Sequence, residues 1–456
     1  MIGELSFSAL AKTLPARHSG GEILFSKLST DSRKIQAGSA FLALKGNKFD
    51  GHTYVEPAIR AGASGAIVSR PCTDTIPQLI VGNTHDALRD IARLNRDRSE
   101  AQTIALTGSQ AKTTVKELIA GILSSKAPTL ATEANFNNTI GVPLTLLRLN
   151  EDHRYAVVEM GADRPGEIGF SAQAACPDIA LITMASAAHV EGFGSLAGIV
   201  KGKGEILDHI RPGGIAVLNH DDPNVEAWIG RLEGRRSVQF SVQQSACSEY
   251  RARDIESLAD GHVSFNLVTP FGELDIAMRL LGRHNVMNAV AAAAVALEAG
   301  ADLGHVKQGL ESALPVRGRL CAREGLRGAV ILDDSYNASP NSFRAAIDVL
   351  ATFSGQKILI VGDMKELGTE TSRAHQAVGA MAKHAEIQSL WAVGDYASVV
   401  AKNFGEGAIV FEDQHSLIRY ASTRLESDSV ALIKGSRGAK MERVVRELCR
   451  GEHDLC

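Results

Sequence analysis

Long apolar runs, paired cysteines and an excess of charge of either sign are all missing from this 456-residue chain. Each absence narrows what the protein can be. The most apolar helical stretch, Val286 to Leu297, is Ala-rich and falls well short of the ~20 residues a spanning helix needs. The start, MIGELSFSALAKTL, has no basic segment leading into a long apolar one, so no secretory signal is expected there. The six cysteines (Cys72, Cys176, Cys247, Cys321, Cys449 and Cys456) are scattered without a CxxC pair. That spacing argues against a zinc site or a disulfide framework and fits a reducing, cytoplasmic setting. A net charge of −4 gives no reason to expect nucleic acid or a polybasic membrane contact. Heptads, low-complexity tracts and short-period repeats are absent as well.

What is present is a soluble globular composition, 45% hydrophobic and 22% charged, long enough for about three domains of ~150 residues. Residues 1–100 read as a small α/β module. AFLAL (40–44) is strand-like, AIRAGASGAIV (58–68) reads helix, turn, strand, and a helix from His85 to Arg96 leads into a polar tract. From 101 to 315, β-prone runs (Thr103–Leu106, Tyr155–Glu159, Ile179–Met184, Ile215–Asn219) alternate with helical patterns (Val115–Leu123, Leu196–Ile210, Val225–Leu232). Strands separated by helices predict βαβ units and a parallel sheet. Residues 316–456 repeat the rhythm, with strands expected at Ala329–Leu332, Ile358–Val361, Leu390–Val393 and Val430–Ile433. The fold class is α/β in three domains.

The chemistry gathers around Gly108, Ser109, Gln110, Ala111, Lys112, Thr113 and Thr114. A β-prone run precedes them and a helical pattern follows. In that arrangement successive backbone N–H groups and a helix N-terminus cradle nucleotide phosphates. Lys112 would reach the β/γ-phosphates and the Thr113 hydroxyl would ligate Mg²⁺; the plainer alternative is an ordinary strand-to-helix turn. Ala111 is irregular, because Gly usually precedes the lysine. The turn is either αR-like at 111 or carries modest strain.

Ligands of parallel sheets bind beyond the carboxyl ends of strands, which is where Glu159, His189 and Asn219 fall. Glu159, closing YAVVE, is a candidate Mg²⁺ ligand or a solvated strand-end carboxylate. His189, in ASAAHVEGFGS, is either a site residue or a structural one. Lys201 and Lys203, in IVKGKGEIL, read locally as an exposed pair. The loop TEANFNNTIGVP (132–143) holds three Asn and is either a ligand loop or a plain one. His284, Asn285 and Asn288 open a helix. Asn285 and Asn288 share a face that reads an adenine ring or simply caps the helix. The triplet Asp31, Ser32, Arg33 is a solvated turn or an anion contact. Three further turns, DDSYNASPNS (333–342), GDMKELG (362–368) and KGSRGAKME (434–442), follow predicted strands and carry reactive groups.

Taken in order, TDSRK with FLALKGNKFDGH, TGSQAKTTVKE, TEANFNNTIGVPLTLLRL, VVEMGADRPGEI, AHVEGFGSLAGIVKGKGEI, GRHNVMNAVAA, LDDSYNASPNS, GDMKELG and KGSRGAKME resemble the Mur ligase family of ATP-dependent amide-forming enzymes in peptidoglycan synthesis. The resemblance covers nearly the whole chain. The C-terminal domain has SYNASPNS and GDMKELG and lacks the Asp-Asn-Pro-Arg signature of the diaminopimelate-adding member. The resemblance therefore implies a ligase that joins D-alanyl-D-alanine to UDP-N-acetylmuramoyl-tripeptide through an acyl phosphate. It implies a UDP-sugar-binding N-terminal domain, a central P-loop domain and a C-terminal Rossmann-like domain, in a cytoplasmic monomer without nucleic acid or membrane insertion. Ser32, Arg33 and Lys45 would lie near the UDP end, and Gly108 to Thr114 would hold ATP. Thr113, Glu159, His189 and Lys203 would hold two Mg²⁺ ions, Lys203 as a carbamate with Lys201 as second choice. Asn138, His284, Asn285 and Asn288 would surround the nucleotide. Arg319 and Asp334 would reach the phosphates and ribose from the third domain, and the GDMKELG and KGSR loops would face the dipeptide. The rivals are a P-loop NTPase switch, a folylpolyglutamate-like or other amide ligase, and a catalytically silent UDP-sugar-binding protein.

Overall fold

In a computed structural model of the chain, which describes residues 1–46, 49–73, 75–186, 190–243 and 247–454, the continuous apolar runs become strands buried on both faces. Three large sheets result, one for each stretch of α/β rhythm.

The N-terminal sheet has five strands in the order Ala16–Ser19, Gln78–Val81, Gly65–Val68, Ala40–Leu42, Leu28–Ser29, parallel except for the first pair. The helix Thr84–Asp97 that follows has its amide-capped start at Asn83 and a strongly amphipathic pattern. Its apolar face joins the N-terminal and central domains in one core, with Leu88 and Ile91 packed in the same cluster as Phe7, Val142 and Ile168. Polar anchors fix it further. Asn95 donates to the carbonyls of Leu146 and Leu149, and buried Arg96 donates to those of Ala175 and Cys176 and to Asp178.

The central sheet has nine strands. The parallel part runs Thr129–Ala131, Tyr155–Glu159, Gln102–Thr107, Ile179–Ile182, Ile215–Asn219, Arg236–Ser241, Tyr250–Ser257. The strands His262–Thr269 and Gly272–Leu281 then continue it as antiparallel hairpins. The parallel sheet expected over 101–315 is present in seven strands, and these two antiparallel strands, which the sequence reading does not foresee, extend it. These last strands are half-solvated, and tight turns ending at Gly261 and Gly272, both with positive φ, let the chain reverse directly without a helix. The helix expected over 196–210 also divides: Leu196–Gly204 is α-helical, and a 3₁₀ segment, Glu205–His209, continues it.

The C-terminal sheet orders as Ala408–Phe411, Ser389–Val393, Gln356–Val361, Ser429–Lys434, Val330–Asp334, Cys321–Gly325, Cys449–Asp454, with the first five parallel and the last two antiparallel. Separate apolar clusters cover its two faces. Among the described residues no helix is long and apolar enough to cross a membrane.

Parallel register settles where the site forms. Glu159 stands beside Leu106, and Ile182 beside Thr107, so two strand ends flank the turn that begins at Gly108.

Candidate active site

The turn is built by close backbone approach. A Cβ on Gly108 would fall 1.9 Å from the Thr183 hydroxyl, so only glycine fits. The Ser109 N–H donates to the Met184 carbonyl at 2.9 Å, and the Thr183 hydroxyl donates to the Gln110 carbonyl at 2.8 Å. Both hold the loop against the neighbouring strand end. Ala111 adopts φ +66°, the left-handed region, immediately before the helix Lys112–Ser124. Of the two alternatives the strained one is realised.

Lys112 donates to the Gly108 carbonyl at 2.7 Å. Burial pulls its pKa below the ordinary lysine value, with Glu159 acting in the opposite sense. Thr113 turns its hydroxyl between two charged groups. It donates to Glu159 Oε1 at 3.2 Å and accepts from the Arg319 guanidinium at 3.0 Å. Asn137 donates its amide to the same Glu159 oxygen at 2.8 Å, and the Glu159 N–H donates to the Thr132 hydroxyl. The other carboxylate oxygen, Oε2, is buried with no hydrogen-bond partner among the described residues. An orphaned anionic oxygen beside a hydroxyl is a seat shaped for a hard cation, and these oxygen donors suit Mg²⁺. His189 lies outside the described residues.

Lys203 is buried while Lys201 is exposed, so the expected exposed pair is split by the helix that carries it. Burial, and then the nearby Lys112 charge, push the Lys203 amine down to about 7, against the pull of Asp163, Glu205 and Glu167. Its Nζ sits 5.8 Å from the centre of the Phe193 ring. Burial thus favours the neutral form of the amine.

Between the central and C-terminal domains lies a cavity of about 840 Å³ lined by Ser109, Gln110 and Ala111 of this turn and by apolar residues that include Leu118, Leu280 and Val316. Asn285 and Asn288 line it and do share a face, Asn288 donating to the Asn285 amide oxygen at 2.8 Å. His284 opens onto the cavity, and burial by the surrounding protein lowers its pKa. Arg319 and Asp334 arrive from the C-terminal domain, Asp334 held by buried Lys434. Gln110 also reaches across, to the Ser339 hydroxyl at 3.2 Å.

Other expected residues lie elsewhere. Asn138 does not line the cavity. Its amide oxygen accepts from the N–H groups of Ile140 and Gly141 at the start of the helix Gly141–Leu146. Its neighbour Asn137, missed by sequence reasoning, is the one turned inward; the Asn-rich loop was the signal, and only the backbone path chooses among its amides. Ser32, Arg33 and Lys45 line neither this cavity nor a second one. Arg33 grips Asp31 with bonds of 2.9 and 2.8 Å, holding that carboxyl down to about 2. The second cleft, about 480 Å³, lies between the N-terminal and central domains and is lined by Lys27, Ser29, Lys34, Ser39, Leu144 and Arg148.

Three family models match successive parts of the chain. The Mur ligase family catalytic domain matches residues 25–96, the Mur ligase middle domain 106–296, and the Mur ligase glutamate ligase domain 318–437. A UDP-N-acetylmuramoyl-tripeptide–D-alanyl-D-alanine ligase of Escherichia coli (strain K12) is 41% identical over 446 residues, covering 97% of this chain and 98% of that protein. The chain belongs to the Mur ligase family. Among solved Mur ligases, a crystal structure of MurF from Acinetobacter baumannii matches with a TM-score of 0.91 at 34% identity, over 98% of this chain and 99% of the other. MurF ligase from Thermotoga maritima in complex with ADP matches at 0.82 and 28% identity, over 92% of this chain and 96% of that one.

Proposed function

We propose that this Mur ligase uses ATP to join D-alanyl-D-alanine to UDP-N-acetylmuramoyl-tripeptide, completing a peptidoglycan precursor in the cytoplasm as a monomer. The observation that carries the reading is the link from Arg319 through Thr113 to Glu159. It joins the C-terminal domain to the centre of a phosphate-binding turn, under a cavity large enough for a nucleotide. Full-length likeness to proteins named for this reaction supports the choice of substrates.

In this assignment residues 1–100 hold the UDP end, 101–315 hold ATP and 316–456 close over both. Ser32, Arg33 and Lys45 face the uridine diphosphate, beside the cleft that Lys34 and Arg148 line. The amides of Gly108 to Thr114 and the Lys112 ammonium hold the phosphates, while Asn285, Asn288 and His284 border the nucleoside. Thr113, Glu159, His189 and carbamylated Lys203 would hold two Mg²⁺ ions, which supply positive charge where phosphate and carboxylate anions meet.

A carboxylate is a poor electrophile, and oxide is a poor leaving group. The tripeptide's terminal carboxylate oxygen bonds to the γ-phosphorus of ATP, the bond to the β–γ bridging oxygen breaks, and ADP leaves. The amine of D-alanyl-D-alanine then adds to the acyl carbon, the C–O bond breaks to release phosphate with its electron pair, and the proton shed by the nitrogen goes to that phosphate. The chain's task is charge neutralisation and alignment. Lys112 and Arg319 contribute the fixed positive charge. The closed C-terminal domain excludes water from the acyl phosphate.

The test is an ATP-dependent coupling assay read by mass spectrometry. Pentapeptide product and phosphate release should both require the UDP-tripeptide and D-alanyl-D-alanine. Phosphate release at full rate without the dipeptide would sink the reading in favour of an NTPase switch.

A further inference from the structure

Two arginines from different loops share one aromatic ring. The Arg319 guanidinium lies 4.5 Å from the centre of the Tyr336 ring, and the Arg437 guanidinium lies 5.6 Å from it. Arg319 is the residue that reaches the phosphate turn through Thr113. Arg437 belongs to KGSRGAKME, a loop tied to GDMKELG because Ser436 donates both its N–H and its hydroxyl to the Asp363 carbonyl, at 2.9 and 2.7 Å.

The Tyr336 backbone is fastened at the same place. Its N–H donates to the Gly318 carbonyl at 3.0 Å, and a Cβ on Gly318 would lie 3.2 Å from the Tyr336 Cβ. The turn carrying Arg319 is thus pressed directly against the tyrosine. Arg437, by contrast, keeps a side chain 66% exposed and, apart from the Tyr336 ring, has among the described residues one long ion pair of 3.4 Å, to Glu442. Its remaining N–H groups point to no described partner, and a planar guanidinium is matched in shape to a carboxylate.

We propose that Tyr336 is a positioning residue that couples capture of the acceptor's carboxylate at Arg437 to the Arg319 grip on the phosphate site. The inference rests on the proposed reading that the acceptor is a dipeptide ending in a free carboxylate. The ring face attracts both guanidiniums. A carboxylate that fixes Arg437 restricts the ring, and a restricted ring fixes Arg319 over Thr113. Coupling of this kind is reciprocal, so dipeptide and nucleotide each tighten the other's binding.

The experiment is calorimetric titration of a non-hydrolysable ATP analogue with Mg²⁺ into the full-length protein holding UDP-tripeptide, with and without D-alanyl-D-alanine. In the wild type, the dipeptide should tighten analogue binding about fivefold or more. D-alanyl-D-alanine amide, which lacks the carboxylate, should give less than a twofold effect. Tyr336→Phe keeps the ring face and should keep the tightening; Tyr336→Leu should abolish it. Arg437→Lys keeps the charge without the planar group and should also lose the tightening, which tests the link even where the Leu variant fails to fold. Full tightening in Tyr336→Leu or in Arg437→Lys, equal tightening by the amide, or none in the wild type would each overturn the proposal. A wild type that couples nucleotide and dipeptide binding but yields no pentapeptide would instead fault the assigned reaction and leave the coupling standing.

Discussion

Replacing Lys203 with Met should make the protein more stable and inactive at once. The folded structure buries this amine and pushes its pKa from the ordinary 10.5 down to about 7. Between those two values the unfolded chain holds a proton that the folded chain does not, so stability rises with pH across that window. Below about 7 both states are protonated and the folded state carries the full penalty. At ~1.4 kcal/mol per pH unit, a fall of roughly 3.5 units sets a ceiling near ~5 kcal/mol. Local relaxation and water penetration reduce such penalties, and about 2 kcal/mol is the expected gain for Lys203→Met at pH 6.5. The gap between the two proteins should narrow steadily and close by about pH 10. Urea unfolding followed by the fluorescence of Trp228 and Trp391, in CO₂-free buffers at several pH values, measures it. A Met variant that is less stable at pH 6.5, or a gap that does not change with pH, would refute the reasoning. Loss of ligase activity in the more stable variant would mark Lys203 as a residue whose burial serves chemistry rather than folding.

Ala111→Gly should remove a left-handed alanine from the phosphate turn. The relief of ~1–2 kcal/mol, less the extra freedom of glycine in the unfolded chain, leaves a rise in Tm of about 1–2 °C by calorimetry, with no increase in the KM for ATP. Gly108→Ala places a methyl carbon against the Thr183 hydroxyl; ATP turnover should fall by about 100-fold or more as the loop is forced off its neighbour strand. Asn137→Ala should raise the Mg²⁺ concentration for half-maximal activity ~10–100-fold, because it strips Glu159 of the bond that orients it. Asn138→Ala should leave the Mg²⁺ requirement nearly unchanged and cost ~1 kcal/mol of stability through the lost bonds from the Ile140 and Gly141 N–H groups, read by urea unfolding.

The contrast between those two asparagines shows what a sequence can carry. Where a segment is buried on both sides, its composition is dictated along its whole length. The strands Tyr155–Glu159 and Ile215–Asn219 accordingly begin and end where the apolar runs do. The hairpin strands from Tyr250 to Leu281 are solvated on one side and carry Arg251, Arg253, Asn266 and Asp275. Their alternation is diluted by charge, and no helix separates them, so a rhythm of strand and helix passes over them. Lys201 and Lys203 pose a finer problem. Two residues apart on a helix, they diverge by more than half a turn, so one must face inward whenever the helix packs, and the local sequence does not say which.

The hardest feature to read was convergence across the chain. Thr113 and Arg319 are separated by 206 positions; Thr113 is legible locally as the threonine of a phosphate turn, whereas nothing in its own neighbours marks Arg319. Ordered motifs signalled that they belong to one site, but not that Arg319 rests on the Thr113 hydroxyl. That contact follows from sheet register and from the seat of Tyr336 against Gly318, which aims Arg319 at the turn. Register and seating are properties of packed backbones. Types of residue declare the chemistry a chain needs, whereas the backbone decides which asparagine, which lysine and which arginine performs it.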